Sequence, residues 1–88
     1  MGYSVQYAES VLKILRKMEP YNSKIIIAWI EKNLIGCDNP RQYGAPLTAD
    51  MKGLWRYRIG SYRVIADIHD NIVTIEIVAV GHRREIYD

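Results

Sequence analysis

The sequence predicts an α+β fold in which an antiparallel helical hairpin packs on one face of a β-sheet. Three observations lead to this prediction. A short strand-like run stands near the N-terminus, and two segments with the apolar spacing of amphipathic helices follow it. The second half of the chain contains three runs of β-branched and aromatic residues separated by turn-forming residues.

The first strand and both helices are predicted within residues 4–36. Ser4–Tyr7 contains Val and Tyr and predicts a short N-terminal strand. The first helix begins at Ala8 and is broken at Pro20. A cap at Asn22 or Ser23 begins the second helix, which Gly36 ends. The apolar stripes that define the two helices are Val11, Leu12, Leu15 and Met18, then Ile26, Ile27, Ile30 and Leu34.

The remaining chain predicts a loop and a three-strand antiparallel meander. Residues 37–52 are rich in Asp, Asn, Pro and Gly and show no period, so we expect a connecting loop. Strands are expected over residues 54–59, 62–68 and 72–80. Because the breaks at Gly60-Ser61 and Asp70-Asn71 suit tight hairpins, the three strands should pair in chain order.

Length and composition limit the class of protein. A chain of 88 residues has room for one hydrophobic core, so we expect a single domain over residues 1–88. Hydrophobic residues make up 49% and charged residues 25%, which is typical of globular proteins and argues against a disordered chain. The longest apolar run, residues 25–30, is far shorter than the roughly 20 residues that a bilayer crossing needs. Residues 1–7 also lack the pattern of a signal peptide, so the sequence predicts a cytoplasmic protein with no membrane partner.

The sequence predicts neither a metal nor a disulfide. Cys37 is the single cysteine, and together with His69 and His82 it shows no metal-ligand spacing. His69 stands beside a predicted turn and is expected to be exposed. The formal net charge is only +2, so a nucleic-acid partner would have to be indicated by a local concentration of charge.

Alternation along the predicted strands brings arginines together. Arg56 and Arg58 share one side of their strand, and the tight turn that follows brings Arg63 beside Arg58 if the register places both on one face. Like charges opposite one another destabilise a sheet, so such a cluster indicates a role other than stability. Spacing alone leaves open the alternative of a solvated face whose arginines pair with Asp67 and Glu76.

The segment after the last predicted strand adds Arg83, Arg84 and Tyr87. Structural roles remain open for two of them, since Tyr87 could cover the sheet edge and Arg84 could pair with Glu85. Arg83 is therefore the better functional candidate. His82 has a side chain suited to proton transfer, but alternation along the strand points it away from Arg83.

These motifs together resemble the RelE branch of the RelE/ParE toxin superfamily. The resemblance covers nearly the whole chain and rests on three motifs, which are Pro46-Leu47, the run GLWRYRIGSYRVI over residues 53–65 and the run VGHRREIY over residues 80–87. Each motif is short, but their order and spacing make the combination specific.

The resemblance implies the toxin of a type II toxin–antitoxin system. Such a protein is expected to be an endoribonuclease that cleaves mRNA in the ribosomal A site without a metal or other cofactor. The expected partners are a cognate antitoxin, in a toxin–antitoxin hetero-oligomer, and the ribosome with its rRNA and mRNA.

The resemblance also implies which residues act. Carried over by position, the catalytic residues are Arg56, Arg58, Arg63, Arg83 and Tyr87, with Arg84 and Lys52 as further RNA contacts. The arginines would bind and polarise the scissile phosphate, while Tyr87 would stack on a base. The best-known member of the family has lysines at the first two positions, and a guanidinium, unlike a lysine, stays protonated and cannot serve as a base.

Two other classes of function remain open. A ParE-like relative would inhibit DNA gyrase and have no nuclease activity, and a non-enzymatic RNA-binding module would use the arginines only as phosphate clamps. The combination of a basic strand cluster with a tyrosine near the C-terminus favours the nuclease.

Overall fold

A computed structural model describes residues 2–82 and confirms the predicted α+β class. Within that range the helices and strands are β1 Ser4–Tyr7, α1 Glu9–Lys17, α2 Pro20–Asn33, β2 Ala45–Pro46, β3 Trp55–Ile59, β4 Tyr62–His69 and β5 Thr74–His82. The strands form one sheet in the order β1-β5-β4-β3-β2. β1 runs parallel to β5, and every other described neighbouring pair is antiparallel. The three-strand meander that the sequence predicts is thus β3, β4 and β5.

The start of α2 differs from the prediction. Pro20 does not separate the helices but is the first residue of α2, where the ring presets φ and the missing N–H would have had no helical partner. Glu19 is the N-cap residue and makes no side-chain capping bond, so the predicted cap at Asn22 or Ser23 is wrong. The Ser23 hydroxyl instead donates to the Pro20 carbonyl at 3.1 Å.

Both helices pack on the same face of the sheet, as predicted. The helices contribute Val11 and Leu15 from α1, with Ile26, Ile30 and Leu34 from α2 and its C-terminal end. The sheet contributes Tyr57, Ile59, Val64, Ala66, Ile75, Ile77 and Val80. Ile27, which the spacing assigns to the apolar stripe of α2, is only half-buried at the flank of this core.

Residues 37–52 are more regular than the predicted loop. They contain 3₁₀ turns at Pro40–Gln42 and Ala49–Met51, and between these the two-residue strand β2 pairs with β3. Two β3 side chains anchor the segment: the Tyr57 hydroxyl donates to the Pro40 carbonyl, and the Trp55 indole donates to the Tyr43 carbonyl, each at 2.6 Å.

The connection from β4 to β5 is also longer than a tight hairpin. A 3₁₀ turn at Asp70–Ile72 follows β4, so β5 begins at Thr74, two residues later than predicted. Val73, between the turn and β5, has left-handed backbone angles with φ 50°. Asp70 accepts hydrogen bonds from the Arg41 guanidinium and the Tyr3 hydroxyl, so it ties the turn to the loop and to the N-terminal segment.

Candidate functional site

Three arginines meet on the sheet face that the helices leave uncovered, which we call the open face. Arg58 on β3 stands directly opposite Arg63 on β4, and Arg56 stands opposite Ile65. Because alternate residues of a strand share a face, Arg56, Arg58 and Arg63 point away from the helices. We refer to these three residues as the arginine cluster. The register places Arg63 beside Arg58, as alternation predicts.

The electrostatics of Arg56 reflect the proximity of the three guanidinium groups. Burial lowers the pKa of Arg56 from its ordinary value, and the positive charges of Arg58 and Arg63 lower it further. An arginine keeps its proton under such conditions, so the cluster holds three mutually repelling cations. An anion placed among them would relieve this repulsion.

A small apolar patch lies beneath the arginine cluster. Ile65 is fully buried although its side chain points away from the helices, and Leu47, just after β2, is also buried outside the helix-side core. Arg56 and Arg63 are half-buried, and their Nε atoms have no contact with solvent. Since charge interactions strengthen where water is excluded, this patch increases the effect of the arginines on a bound anion.

Gly81 and His82 at the end of β5 lie on opposite faces of the sheet. Gly81 stands opposite Arg63 on the open face and has no side chain to fill the space there. His82 stands opposite Tyr62 on the helix side, where the two rings make an edge-to-face contact with centroids 5.7 Å apart. The His82 imidazole is therefore on the opposite face from the arginine cluster. Its predicted orientation away from Arg83 stays a prediction, because Arg83 lies outside the described residues.

A second charged group lies further along the open face. Asp67 and Glu76 stand opposite each other on β4 and β5, and the His69 Nε2 atom lies 3.5 Å from Asp67 Oδ2 and 3.2 Å from Glu76 Oε1. We refer to Asp67, His69 and Glu76 as the acid–histidine group. The His69 side chain is about one-third exposed, so the predicted exposure is met only in part. The sequence missed this group because its members come from two strands.

The other predicted site residues are not all placed. Lys52 is exposed in the loop that leads into β3. Arg83, Arg84 and Tyr87 lie outside the described residues, so their roles stay predictions. The described part of the site is thus the arginine cluster with its apolar patch, and this arrangement suits the binding of a phosphate.

The fold is that of a RelE/ParE superfamily toxin. The chain belongs to the family described as the ParE toxin of type II toxin–antitoxin systems, whose profile matches residues 5–87. Among curated proteins it is similar to Toxin RelG of Mycobacterium tuberculosis, with 29% identity over 99% of this chain and 98% of the relative.

Solved structures show the same fold. A chain from the toxin–antitoxin complex RelBE2 of Mycobacterium tuberculosis superposes with a TM-score of 0.84 at 26% identity, over 94% of this chain and 93% of that one. A mutant of E. coli toxin RelE in the free state superposes with a TM-score of 0.76 at 22% identity, over 97% and 87% of the two chains. In the part of the chain that the structure describes, neither helix is long and apolar enough to cross a membrane.

Proposed function

We propose that this toxin is a ribosome-dependent mRNA endoribonuclease that cleaves in the A site by attack of a ribose 2′-hydroxyl on the adjacent phosphate. The observation that carries the proposal is the arginine cluster above its apolar patch. The cluster places three cations side by side on one sheet face, and guanidinium groups suit the binding of a phosphate, which is the anion that RNA offers.

The chemistry needs little beyond what arginines supply. RNA carries its own nucleophile, so the protein has to align the attack and stabilise the negative charge that develops on the phosphorane. Arg63, half-buried on β4 and opposite Gly81 on β5, is proposed to contact a non-bridging oxygen. Arg56 and Arg58 would hold the phosphate in register, and Arg83 would add a fourth guanidinium.

Tyr87 is proposed to position the RNA. An aromatic ring on which an unstacked base rests contributes roughly 1–3 kcal/mol to binding. No lysine occurs in β3 or β4, and His82 faces the helices, so the described residues of the site provide no evident general base. Cleavage of free RNA is therefore expected to be slow, with the ribosome supplying part of the alignment.

A cognate antitoxin is the proposed protein partner. The similar RelBE2 structure is a toxin–antitoxin complex, which supports a hetero-oligomer here. We propose that acidic residues of the antitoxin cover the arginine cluster or displace the segment that carries Arg83 and Tyr87, so affinity should fall as salt increases. A structure of the complex in which the cluster stays open and that segment is undisturbed would contradict this proposal.

The experiment that tests the proposed activity compares Arg63→Ala and Arg83→Ala with the unchanged chain on programmed ribosomes. We expect each substitution to lower the cleavage rate by orders of magnitude while weakening ribosome binding much less, because the arginines act on the developing charge. Arg16→Ala, an exposed arginine in the last turn of α1, is the matched control and should cleave normally. Wild-type cleavage by both site variants would show that the proposed active site is wrong.

Two further measurements separate the alternatives. Inhibition of DNA gyrase without RNA cleavage would favour a ParE-type activity, which the family profile makes the second candidate. Binding to ribosomes without cleavage would indicate a non-enzymatic RNA-binding module. Tyr87→Phe then distinguishes stacking from proton transfer, since it keeps the ring and removes the hydroxyl.

A further inference from the structure

The acid–histidine group on the open face has the composition of a metal site. It offers one imidazole nitrogen and two carboxylate oxygens, and these three ligand atoms all lie within 4.8 Å of one another. The Nε2 atom of His69 is 3.2 Å from Glu76 and 3.5 Å from Asp67. Four ligands around a zinc ion at bond lengths near 2.1 Å are separated by about 3.4 Å, so both distances fit tetrahedral coordination without movement of a strand.

The register makes this arrangement unusual as a purely structural feature. Asp67 and Glu76 face each other across β4 and β5, and like charges in that position destabilise a sheet. His69 stands two residues beyond Asp67 on the same face, and its ring reaches back between the two carboxylates. A divalent cation bound there would offset the repulsion between the two carboxylates.

We propose that Asp67, His69 and Glu76 bind one divalent transition-metal ion of the zinc type, with a fourth position open to water or to an RNA oxygen. The mixed nitrogen and oxygen ligands select this class, because Mg²⁺ and Ca²⁺ prefer six or more oxygen ligands. The ligand side chains are 35–40% exposed, so an ion has access from solvent.

This site is separate from Arg63, the residue proposed to contact the phosphate. Asp67 is four residues beyond Arg63 on the same strand, which corresponds to about 13 Å at the usual rise. Arg56 is the nearer member of the cluster, because it stands opposite Ile65, two residues from Asp67. An ion at the acid–histidine group therefore does not touch a phosphate held by Arg63, and the proposed cleavage remains independent of it. The ion would instead replace two negative charges on the open face with a neutral or positive centre, on a surface where RNA is proposed to lie.

The test uses the full chain, stripped with a chelator and titrated with zinc chloride by calorimetry. We expect one ion to bind per chain, with a change in the ring NMR signals of His69. At a zinc concentration 100-fold above the dissociation constant, the melting temperature should rise by about 11–22 °C. Magnesium chloride at the same concentration should produce a much smaller effect.

Substitutions assign the ligands. We expect zinc affinity to fall by at least about 100-fold in each of the variants His69→Ala, Asp67→Asn and Glu76→Gln. Loss of a residue that only orients a metal ligand lowers affinity by about 10–100-fold, and loss of the ligand itself should lower it more. Gln6→Ala is the matched control, since Gln6 stands in register beside Glu76 on the same face and is exposed. Cys37→Ser controls for the single thiol, and both controls should bind zinc normally.

Three outcomes would overturn the proposal. The first is the absence of zinc binding at micromolar protein, which would leave only a hydrogen-bonded cluster of His69 with two carboxylates. The second is unchanged affinity in His69→Ala, which would place the ion elsewhere. The third is equal affinity for magnesium, which would contradict the transition-metal class. None of these outcomes bears on RNA cleavage, so the metal site and the proposed activity are tested separately.

Discussion

Replacing Tyr57 with Phe should destabilise the protein through one buried hydrogen bond. Tyr57 is fully buried in the centre of β3, between Arg56 and Arg58, and its hydroxyl donates to the Pro40 carbonyl at 2.6 Å. The phenylalanine ring fills the same space but leaves that carbonyl without this donor. An unpaired buried acceptor costs about 1–3 kcal/mol, so we expect a loss of roughly 2 kcal/mol in the free energy of unfolding.

Chemical denaturation and calorimetry measure this loss directly. For a domain of this size, 2 kcal/mol corresponds to a decrease in melting temperature of about 8–16 °C. Tyr21→Phe is the matched control, because Tyr21 is 70% exposed on α2 and its substitution should leave stability within about 0.5 kcal/mol of the original.

Alkaline pH provides a second measurement of the same hydroxyl. Burial raises the pKa of Tyr57 above the ordinary tyrosine value, so this group binds its proton more tightly in the folded than in the unfolded state. The contribution of the protonated hydroxyl to the free energy of unfolding is fully present below pH 10. Above pH 10 the tyrosine of the unfolded state ionises, and this contribution is lost at up to about 1.4 kcal/mol per pH unit. Burial also raises the pKa of Tyr7, so the alkaline loss should be smaller in Tyr57→Phe but not absent. Equal stability and an identical alkaline decline in the two proteins would refute the reasoning.

The remaining predictions concern charge, backbone strain and packing. Arg58→Gln removes a cation opposite Arg63, so the free energy of unfolding should rise by up to roughly 0.5 kcal/mol. The slope of RNA affinity against salt concentration should decrease by the amount expected for the loss of about one phosphate contact. An unchanged salt slope would exclude Arg58 from the RNA interface. Val73→Asn should raise the melting temperature by several degrees, because a β-branched residue is strained at φ 50° and asparagine is not; calorimetry that shows a decrease would contradict this. Ile26→Ala should cost about 2–5 kcal/mol in urea denaturation and Ile27→Ala clearly less, since only Ile26 is fully buried. The reverse order would contradict the observed orientation of α2.

The arginine cluster could be predicted because two simple rules act together. Side chains alternate along a strand, and the tight turn at Gly60 determines which residues of β3 and β4 stand opposite each other. Gly60 has φ 60°, a conformation that glycine adopts without strain and that suits this turn. Knowledge of these local rules was sufficient to place Arg63 beside Arg58.

Features that depend on long-range contacts could not be predicted in the same way. β2 has only two residues, too few to show a strand pattern in the sequence. It is a strand because Ala45 and Pro46 pair with the edge of β3. The burial of Ile65 on the open face depends on its neighbours in the folded structure, which the alternation of side chains along β4 does not reveal. The role of Pro20 was predicted wrongly because a proline is compatible both with the end of one helix and with the first turn of the next.

The parallel pairing of β1 with β5 has a consequence for how the protein is made. β1 begins at Ser4 and its only described strand partner, β5, begins at Thr74, so β1 cannot join the sheet until β5 has been synthesised. A nascent chain that ends before β5 lacks Ile75, Ile77 and Val80 from the core and cannot bury the helices fully. The complete core therefore forms only after β5 has been synthesised, so the long-range β1–β5 pairing is a late step of folding.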